Sequence, residues 1–288
     1  NSKNRIYTFA STAITSNGVI VTDKKFYFNG GCYKEYNIDT AKLFQYRNYL
    51  EKNTQIFKKV VSIAALWADQ VWHFPIEAVV ALKNISDFSD LHLHITNKTD
   101  FCIKWIKLLN IPISEDKIID GDIFAEKLII PEMAGCGESK YDLTMWLKQK
   151  LYKNLNLSPI TNKFILMKRN HTRTLVNYNE VEDLCKLFSE KLNLDFYVHD
   201  DSHLPSLQLQ LEIFNKARIV VGAHGAGGVN LIASKPGIDF IEFLLNSDIN
   251  TCYIGLTRDL DINYYGIPYE TNDGVDLQDL HKVLLTFI

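Results

Sequence analysis

The chain has 288 residues, of which 47% are hydrophobic and 12% aromatic, and it carries a formal net charge of −3. This length is enough for two domains of about 100 to 150 residues, each with its own core. The small negative charge excludes a surface-wide basic field, so we expect no nucleic-acid partner. We also expect no membrane span, because no apolar run reaches about 18 residues. Cytoplasm is the favoured compartment, and the ER or Golgi lumen is the alternative if an N-terminal anchor precedes Asn1.

The five cysteines are odd in number, widely scattered and without a CxxC pair. An even number of cysteines is typical of a disulfide framework, and CxxC pairs are typical of a structural zinc site. We therefore expect reduced, mostly buried thiols. The cysteines are Cys32, Cys102, Cys136, Cys185 and Cys252.

In the first half of the chain, apolar runs of period 2 alternate with runs of period 3.6, which indicates an α/β domain. The predicted strands cover residues 5–10, 19–28, 60–64, 91–95 and 128–130, and the predicted helices cover 42–51, 75–83, 101–110 and 143–154. A stretch rich in Pro, Ser and Asn at 156–162 then predicts a linker, with the domain boundary at 158.

The second half repeats strand and helix with short turns, which is typical of a parallel, doubly wound sheet. Its predicted strands are 163–167, 195–199, 218–222 and 239–243, and its predicted helices are 180–192, 206–216, 227–234 and one near 253–258. The expected domains are 1–158 and 159–275. A last helix, at 277–285 within 276–288, is expected to pack back on the first domain.

The turn after the strand at 218–222 is the strongest functional signal. Small residues separate a buried strand from a helix N-terminus, where unpaired backbone N–H groups and the helix dipole favour a phosphate. His224 can donate a hydrogen bond to an oxygen or stack on a sugar. The alternative is that the small residues only let the helix pack closely on the sheet. The candidate binding residues are His224, Gly225, Ala226, Gly227 and Asn230.

Two arginines and one acid accompany this turn. Arg169 and Arg173 follow the strand at 163–167 and can clamp a diphosphate, although a solvated basic turn is the alternative. Glu242 is the one acid in an otherwise apolar run, flanked by Phe240, Ile241 and Phe243. Its carboxylate suits ribose hydroxyls, or else it faces outward from an edge strand.

Asp69, His73 and Glu77 form a second cluster, at a turn that enters a helix at Pro75. A carboxylate or imidazole here could act as general base and take the proton of an acceptor hydroxyl. The alternative is structural, with Trp72 in the core and Glu77 near the positive end of the helix dipole.

No metal site is predicted. Asp120-Gly-Asp122 is typical of a turn, and His92-x-His94 has no third ligand nearby in sequence. The polar stretch 199–203 directly follows a strand and is interpreted as a loop with capping groups for the next helix.

Three blocks, in this order, resemble glycosyltransferase family 61. The first is Trp72-His73-Phe74-x-x-Glu77, and the second is Arg169-x-x-x-Arg173 with Asn177 and Glu180. The third and most specific runs from Ala217 through the glycine turn to Gly227, followed by Asn230, Pro236-Gly237 and Glu242. The resemblance covers residues 60–245. Gly228-Val229 departs from the Leu-Thr more usual in the family, so the donor preference stays open.

The resemblance implies a GT-B fold, an α/β architecture in which two Rossmann-like, doubly wound domains face a central cleft. It further implies an inverting transfer from a nucleotide sugar without an obligatory metal or other cofactor. The first domain would bind the acceptor and the second the nucleotide sugar. Arg169, Arg173, Asn177, the turn residues and Glu242 would bind the donor. Asp69 is the first candidate for the general base, followed by His73 and Glu77.

The predicted function is transfer of a sugar, with xylose favoured, from a UDP-sugar to a hydroxyl of a glycan or glycoprotein. UDP-N-acetylglucosamine and UDP-arabinose are alternative donors. Two other classes stay open, a non-catalytic protein that binds sugar nucleotides or glycans and a sugar-nucleotide epimerase.

Overall fold

The computed structural model describes residues 5–30, 32, 40–155, 157 and 159–288. The chain divides into two compact units, Asn1–Lys150 and Leu151–Ile288, and each contains a β-sheet with helices around it. This confirms the predicted α/β class with two Rossmann-like domains. The expected boundary at 158, and residue 156 of the expected linker, lie outside the described residues.

The first unit contains a mixed sheet with the strand order β3-β2-β1-β7-β4-β5-β6. Strands β7, β4, β5 and β6 are parallel, whereas β1, β2 and β3 pair antiparallel at one edge. The strands are β1 (Ile6–Ile14), β2 (Val19–Val21), β3 (Phe26–Phe28), β4 (Ile56–Ser62), β5 (His92–His94), β6 (Ile118–Ile119) and β7 (Ile123–Pro131). The helices are α1 (Thr40–Asn53) and α2 (Asp100–Leu108), and α3 (Tyr141–Asn154) begins in this unit and ends in the second.

Two predicted elements of this unit differ in the structure. The strand expected at 19–28 is a hairpin of β2 and β3, closed by a turn in which the Thr22 N–H donates to Lys25 O over 2.9 Å. The helix expected at 75–83 is a π-helical turn, Phe74–Ala78, followed by a 3₁₀ helix, Val79–Asn84. Pro75 stands in the first turn, where proline is compatible with a helix, whereas the β-branched Val79 and Val80 lower the propensity for a regular α-helix.

The second unit contains a sheet with the order β13-β12-β11-β10-β8-β9, parallel except for the short edge strand β13. The four predicted strands are confirmed as β8 (Lys163–Lys168), β9 (Asp195–Asp200), β10 (Ala217–Ala223) and β11 (Asp239–Leu245), whereas β12 (Asn263–Glu270) and β13 (Gly274–Val275) were not predicted. The helices are α4 (Tyr178–Lys191), α5 (Leu207–Asn215), α6 (Cys252–Leu260) and α7 (Leu277–Leu285).

One part of the core of the second unit lies between this sheet and the helices α4 and α7. Phe164, Val221 and Phe243 of the parallel strands are fully buried, together with Phe188 of α4. The terminal helix α7, expected to pack on the first domain, contributes Leu280 to this core. None of the helices in the described part of the chain has the length and apolarity needed to cross a membrane.

The prediction of five reduced thiols was wrong for two cysteines. Cys32 and Cys136 form a disulfide whose Cα atoms are 5.2 Å apart. Cys102, Cys185 and Cys252 are free and buried, as predicted. The two bridged residues are separated by 104 positions in the sequence, so only the tertiary structure reveals their pairing.

Candidate functional site

The strand order of the second unit places the phosphate-binding candidates at a topological switch point. Counted within the unit, the five parallel strands follow the order 2-1-3-4-5. The next strand in the chain, β9, lies on one side of β8, and the strand after it, β10, lies on the other side. Ligands of such sheets bind beyond the carboxyl ends of the two strands at this point. Here these strands are β8 and β10, which pair directly, with Met167 opposite Gly222. Arg169 follows the first strand and His224 the second.

Arg169 lies directly against the glycine turn. A Cβ atom at Gly225 would overlap Nη1 of Arg169, so the missing side chain is what admits the guanidinium. Nη2 donates to Thr172 Oγ1 over 2.7 Å, and Nε lies 3.4 Å from Asp201 Oδ2. Nε is buried and makes no hydrogen bond within the described residues. The arginine is thus held in place but retains an unused donor.

Arg173 is held by Asp248, which accepts a hydrogen bond from Nη2. The hydrogen bond and charge of Arg173 hold the pKa of the Asp248 carboxyl below its usual range. Burial raises the pKa of Tyr269, while the charges of Arg173 and Arg169 oppose that rise. Both cations therefore act on one neighbouring hydroxyl. Arg173 also has a φ of +53°, a backbone conformation that is uncommon outside glycine.

His224 and Glu242 form a buried pair on neighbouring strand ends. His224 Nδ1 lies 2.5 Å from Glu242 Oε1, and the Tyr264 hydroxyl donates to Oε2 over 2.7 Å. Burial and this hydrogen bond to Glu242 raise the pKa of Tyr264. Both carboxylate oxygens are therefore already engaged. A ribose hydroxyl could reach Glu242 only by sharing an oxygen with one of these partners.

The glycine turn leads into a 3₁₀ helix, Ala226–Ala233, where an α-helix was predicted. Adjacent glycines are poor helix formers, and Gly228 is needed for packing, because a Cβ there would lie 2.6 Å from the Tyr253 ring. The Tyr253 hydroxyl donates to Gly225 O over 2.5 Å. Gly225 is buried, whereas Ala226 is exposed and Gly227 half-buried. Ala226 and Gly227 are therefore the accessible part of the turn.

Two buried polar side chains beside the turn have unused atoms. His199, at the end of β9, is 3% exposed, and neither ring nitrogen has a hydrogen-bond partner within the described residues. Burial lowers its pKa to about 4. The position of a Cβ at Gly227 would lie 3.6 Å from this ring. Asn230 donates to Gln210 Oε1 over 3.2 Å, but its own Oδ1 is buried and unpaired in the same part of the chain.

Unpaired buried polar atoms are costly and mark places where a ligand can bind. His199 was missed as a candidate by sequence reasoning, which assigned the stretch 199–203 to a capping loop. Its position at the carboxyl end of a predicted parallel strand was the available signal.

Asn177 is not grouped with the turn. Its Nδ2 donates to Val275 O over 2.8 Å, and its Oδ1 accepts from Val275 N over 3.1 Å. The amide therefore joins the start of α4 to β13.

The second cluster is assembled within the first unit by the π-helical turn. His73 Nδ1 lies 2.8 Å from Glu77 Oε2, and Trp72 Nε1 donates to Glu77 Oε1 over 3.0 Å. The Gly137 N–H also donates to Oε1, over 2.7 Å. Glu77 is 4% exposed. Three donors therefore fix the position of this buried carboxylate. When Nδ1 of His73 carries the proton that it donates to Glu77, the lone pair of the imidazole is on Nε2.

His73 is bordered by an aromatic ring and by the disulfide. The Trp67 ring, 45% exposed, lies 5.9 Å from the imidazole ring, centroid to centroid. The sulfur atoms of Cys32 and Cys136 lie within 4.8 Å of a His73 ring nitrogen. Asp69 is half-buried on the turn before His73, and within the described residues its carboxylate forms neither a hydrogen bond nor an ion pair.

Comparison with known proteins identifies the family. A sequence model of the family Glycosyltransferase 61 matches residues 71–241, which is more than half of the chain. The chain belongs to glycosyltransferase family 61. No curated protein sequence matches the chain.

The family 61 match spans parts of both units. It includes His73 and Glu77 in the first unit and Arg169 and the glycine turn in the second. It ends one residue before Glu242. Family 61 membership makes the chain a glycosyltransferase.

Proposed function

We propose that this glycosyltransferase moves a sugar from a UDP-sugar to a hydroxyl of a glycan or glycoprotein, with inversion and without an obligatory metal or other cofactor. The observation that carries the proposal is the contact of the Arg169 guanidinium with Gly225 at the switch point of the second sheet. It joins a fixed cation to a turn that favours anions, and family membership supplies the class of reaction.

The donor diphosphate would lie over the accessible part of the turn, at Ala226 and Gly227. Arg169 and Arg173 would neutralise the charge that builds up on the departing UDP, the task that a metal performs in other transferases. His199 and Asn230, with their unused polar atoms, would accept hydrogen bonds from the donor or donate to it. Glu242 would act mainly by holding His224.

The acceptor proton would pass to His73. In a single displacement, the acceptor oxygen bonds to the anomeric carbon as the bond from that carbon to the UDP oxygen breaks, and the hydroxyl proton moves to Nε2. Glu77 orients the imidazole and stabilises the imidazolium that forms. We prefer His73 to Asp69, the first candidate from the sequence, because only His73 has a buried carboxylate fixed behind it. One displacement inverts the anomeric configuration.

Xylose remains the favoured donor sugar on the resemblance alone, with UDP-N-acetylglucosamine and UDP-arabinose as alternatives. We further propose that the protein works in an oxidising compartment such as the ER or Golgi lumen, because the Cys32–Cys136 disulfide forms and persists under such conditions. This replaces the cytoplasm as the favoured location.

The test is release of UDP from a panel of UDP-sugars, each with and without glycan acceptors, in buffer containing EDTA. Acceptor-dependent UDP release with one donor supports the proposal, and product NMR reports the anomeric configuration. An epimerised sugar nucleotide without acceptor would indicate an epimerase. Binding of UDP-sugars without turnover, with any acceptor and with Mn²⁺ restored, would indicate a binding protein. Activity that only Mn²⁺ restores would overturn the metal-independent part.

A further inference from the structure

The first unit contains a pocket whose lining residues have no part in the proposed function so far. It is a pocket of about 700 Å³ formed by β1, the β2–β3 hairpin and the loop after β7. This volume is in the range of small-ligand sites, about 300 to 1,000 Å³. The proposed chemistry needs a site for the acceptor, and none of the residues described so far supplies one.

Aromatic rings line one side of this pocket. Tyr7, Tyr27 and Phe28 are 43%, 41% and 37% exposed. The rings of Phe9 and Tyr27 lie 5.3 Å apart, so the cluster is supported from below. Exposed aromatic side chains gathered in one concavity mark a binding surface, since they would otherwise be buried. A sugar ring offers the matching apolar face.

Two carboxylates, of Glu132 and Glu138, also line the pocket. Glu132 accepts from the Arg5 N–H over 2.9 Å and pairs with Lys140 over 3.3 Å. Glu138 is exposed and forms no hydrogen bond or ion pair through its side chain within the described residues. A Cβ at Gly135 would overlap Glu138 Oε2, so the carboxylate lies over the loop main chain. A carboxylate with free oxygens accepts hydrogen bonds from adjacent hydroxyls.

The loop behind the pocket is the same loop that holds the proposed base. Ala134, which lines the pocket, donates its N–H to Glu77 O over 3.4 Å, and Gly137 donates to Glu77 Oε1 over 2.7 Å. Between them, Cys136 carries the disulfide to Cys32, beside His73. Three residues of this loop, Ala134, Cys136 and Gly137, thus connect the pocket to the His73–Glu77 pair within one unit.

We propose that this pocket binds a neutral pyranose residue of the acceptor, packed on Tyr27 and Phe28 and hydrogen-bonded through its hydroxyls to Glu138. The substrate class is a neutral glycan, because an acidic sugar at Glu138 would bring its carboxylate to an unpaired negative charge. The cations of Lys140 and Arg5 are both placed beside another carboxylate, that of Glu132. That the bound sugar belongs to the acceptor rests on the proposed function, whereas binding of the sugar can be measured without turnover.

Binding is tested by saturation-transfer NMR titration of the full chain with methyl pyranosides of xylose, mannose and galactose, and with methyl glucuronide as the acidic probe. We expect at least one neutral pyranoside to bind and the glucuronide to bind more weakly. Tyr27→Ala and Glu138→Gln should each weaken binding of the neutral pyranoside about tenfold. Glu138→Gln should also reduce the difference in affinity between the neutral pyranoside and the glucuronide. Tyr49→Ala, an exposed aromatic on α1 outside the pocket, is the matched control.

Thermal melts of each variant keep loss of folding separate from loss of binding. No binding of any neutral pyranoside, or equal binding by the wild type, Tyr27→Ala and Glu138→Gln, would overturn the inference. UDP affinity should stay unchanged in both variants, while the KM for the acceptor rises. Sugar binding without transfer from any donor would sink the proposed function but not this pocket. Transfer with an acceptor KM that neither substitution changes would support the proposed function and overturn the inference about this pocket.

Discussion

Arg169 and Arg173 are each paired with an acid, Asp201 and Asp248, and this pairing fixes both side chains before any anion arrives. A bound diphosphate would replace these carboxylates as the partner of the arginines, because it carries more negative charge and forms strong charge-assisted hydrogen bonds. Truncating either arginine should therefore weaken UDP binding.

We predict that Arg169→Ala and Arg173→Ala each raise the Kd for UDP about 10- to 100-fold, as loss of a charge-assisted hydrogen bond implies. Isothermal titration calorimetry measures the change. Arg258→Ala is the control, because that guanidinium is exposed on α6 and pairs with Asp259. Unchanged affinity in both variants would mean that the arginines do not hold the diphosphate.

His73 is the residue on which the proposed proton transfer depends. We predict that His73→Ala lowers kcat about 10²- to 10⁴-fold, the usual contribution of a general base, while UDP affinity is retained. Glu77→Gln should lower kcat less, because it weakens the orientation of the imidazole but leaves its nitrogen. Asp69→Asn should keep most activity. If Asp69→Asn is inactive and His73→Ala active, the carboxylate is the base instead.

At the scale of elements, the glycine turn works by what its residues lack. Gly225 has an extended backbone, with φ of 174°, which any residue can adopt, so its requirement is for space alone. Gly227 has no such neighbour, because its nearest contact would be His199 at 3.6 Å.

We therefore predict that Gly225→Ala displaces the Arg169 guanidinium and weakens UDP binding about as much as Arg169→Ala does. Gly227→Ala, two residues further along, meets only ordinary contacts and should fold with near-normal stability, so it controls for the effect of an added methyl group on folding. UDP titration and thermal melting of the matched pair measure both effects. Equal UDP affinities for Gly225→Ala and the wild type would show that the contact between Arg169 and the turn is dispensable.

The disulfide is the other element with a clear consequence. It closes a loop of 104 residues, and cross-links of that span stabilise by about 2 to 5 kcal/mol in chain-entropy terms. It also anchors the loop from which Gly137 donates to Glu77.

We predict that the double variant Cys32→Ser, Cys136→Ser melts several degrees below the wild type and has a lower kcat, with UDP affinity unchanged. Cys102→Ser, which alters a buried free thiol in the same unit, separates general core effects from loss of the bridge. A melting temperature and kcat equal to those of the wild type would show that the bridge contributes nothing to this loop.

For the whole molecule, the second unit was the more predictable one. Its strands β8 to β11 are short, apolar and separated by amphipathic helices, so local pattern and final structure agree. β12 was missed because Tyr, Gly and Pro interrupt its apolar pattern, and it is defined by pairing with β11. In the first unit, the antiparallel β1 and β7 pair over more than 100 residues of chain, which local patterns do not reveal.

The candidate site shows the same division. Arg169, His224 and Glu77 were named from the sequence because their residue types and neighbours suggested chemistry. Their partners were not, since the hydrogen bonds of Tyr264 to Glu242 and of Gly137 to Glu77 join distant parts of the chain. His199 was named only as part of a loop. Motifs thus find the charged residues, while the groups that orient them depend on the tertiary structure.

Two buried histidines give the molecule a predictable response to acid. His94 bonds to Ser62 Oγ over 2.9 Å and to Gly121 O over 2.8 Å, and His199 lies unpaired beside the turn. Burial lowers the pKa of each to about 4, from an ordinary value of 6.5. Between these values the unfolded chain binds protons that the folded chain does not, so stability falls as the pH decreases from 6.5 towards 4.

At pH 5 each histidine lowers the free energy of unfolding by about 2 kcal/mol. Most carboxylates are still ionised at this pH. We predict a melting temperature that is level above pH 7 and decreases by several degrees between pH 6.5 and 5. His199→Gln should remove about half of this decrease, because glutamine does not titrate, whereas His203→Gln, at an exposed position, should leave the slope unchanged. Differential scanning fluorimetry across this range tests it. A slope that is the same in the wild type and in His199→Gln would show that His199 is not buried in its neutral form.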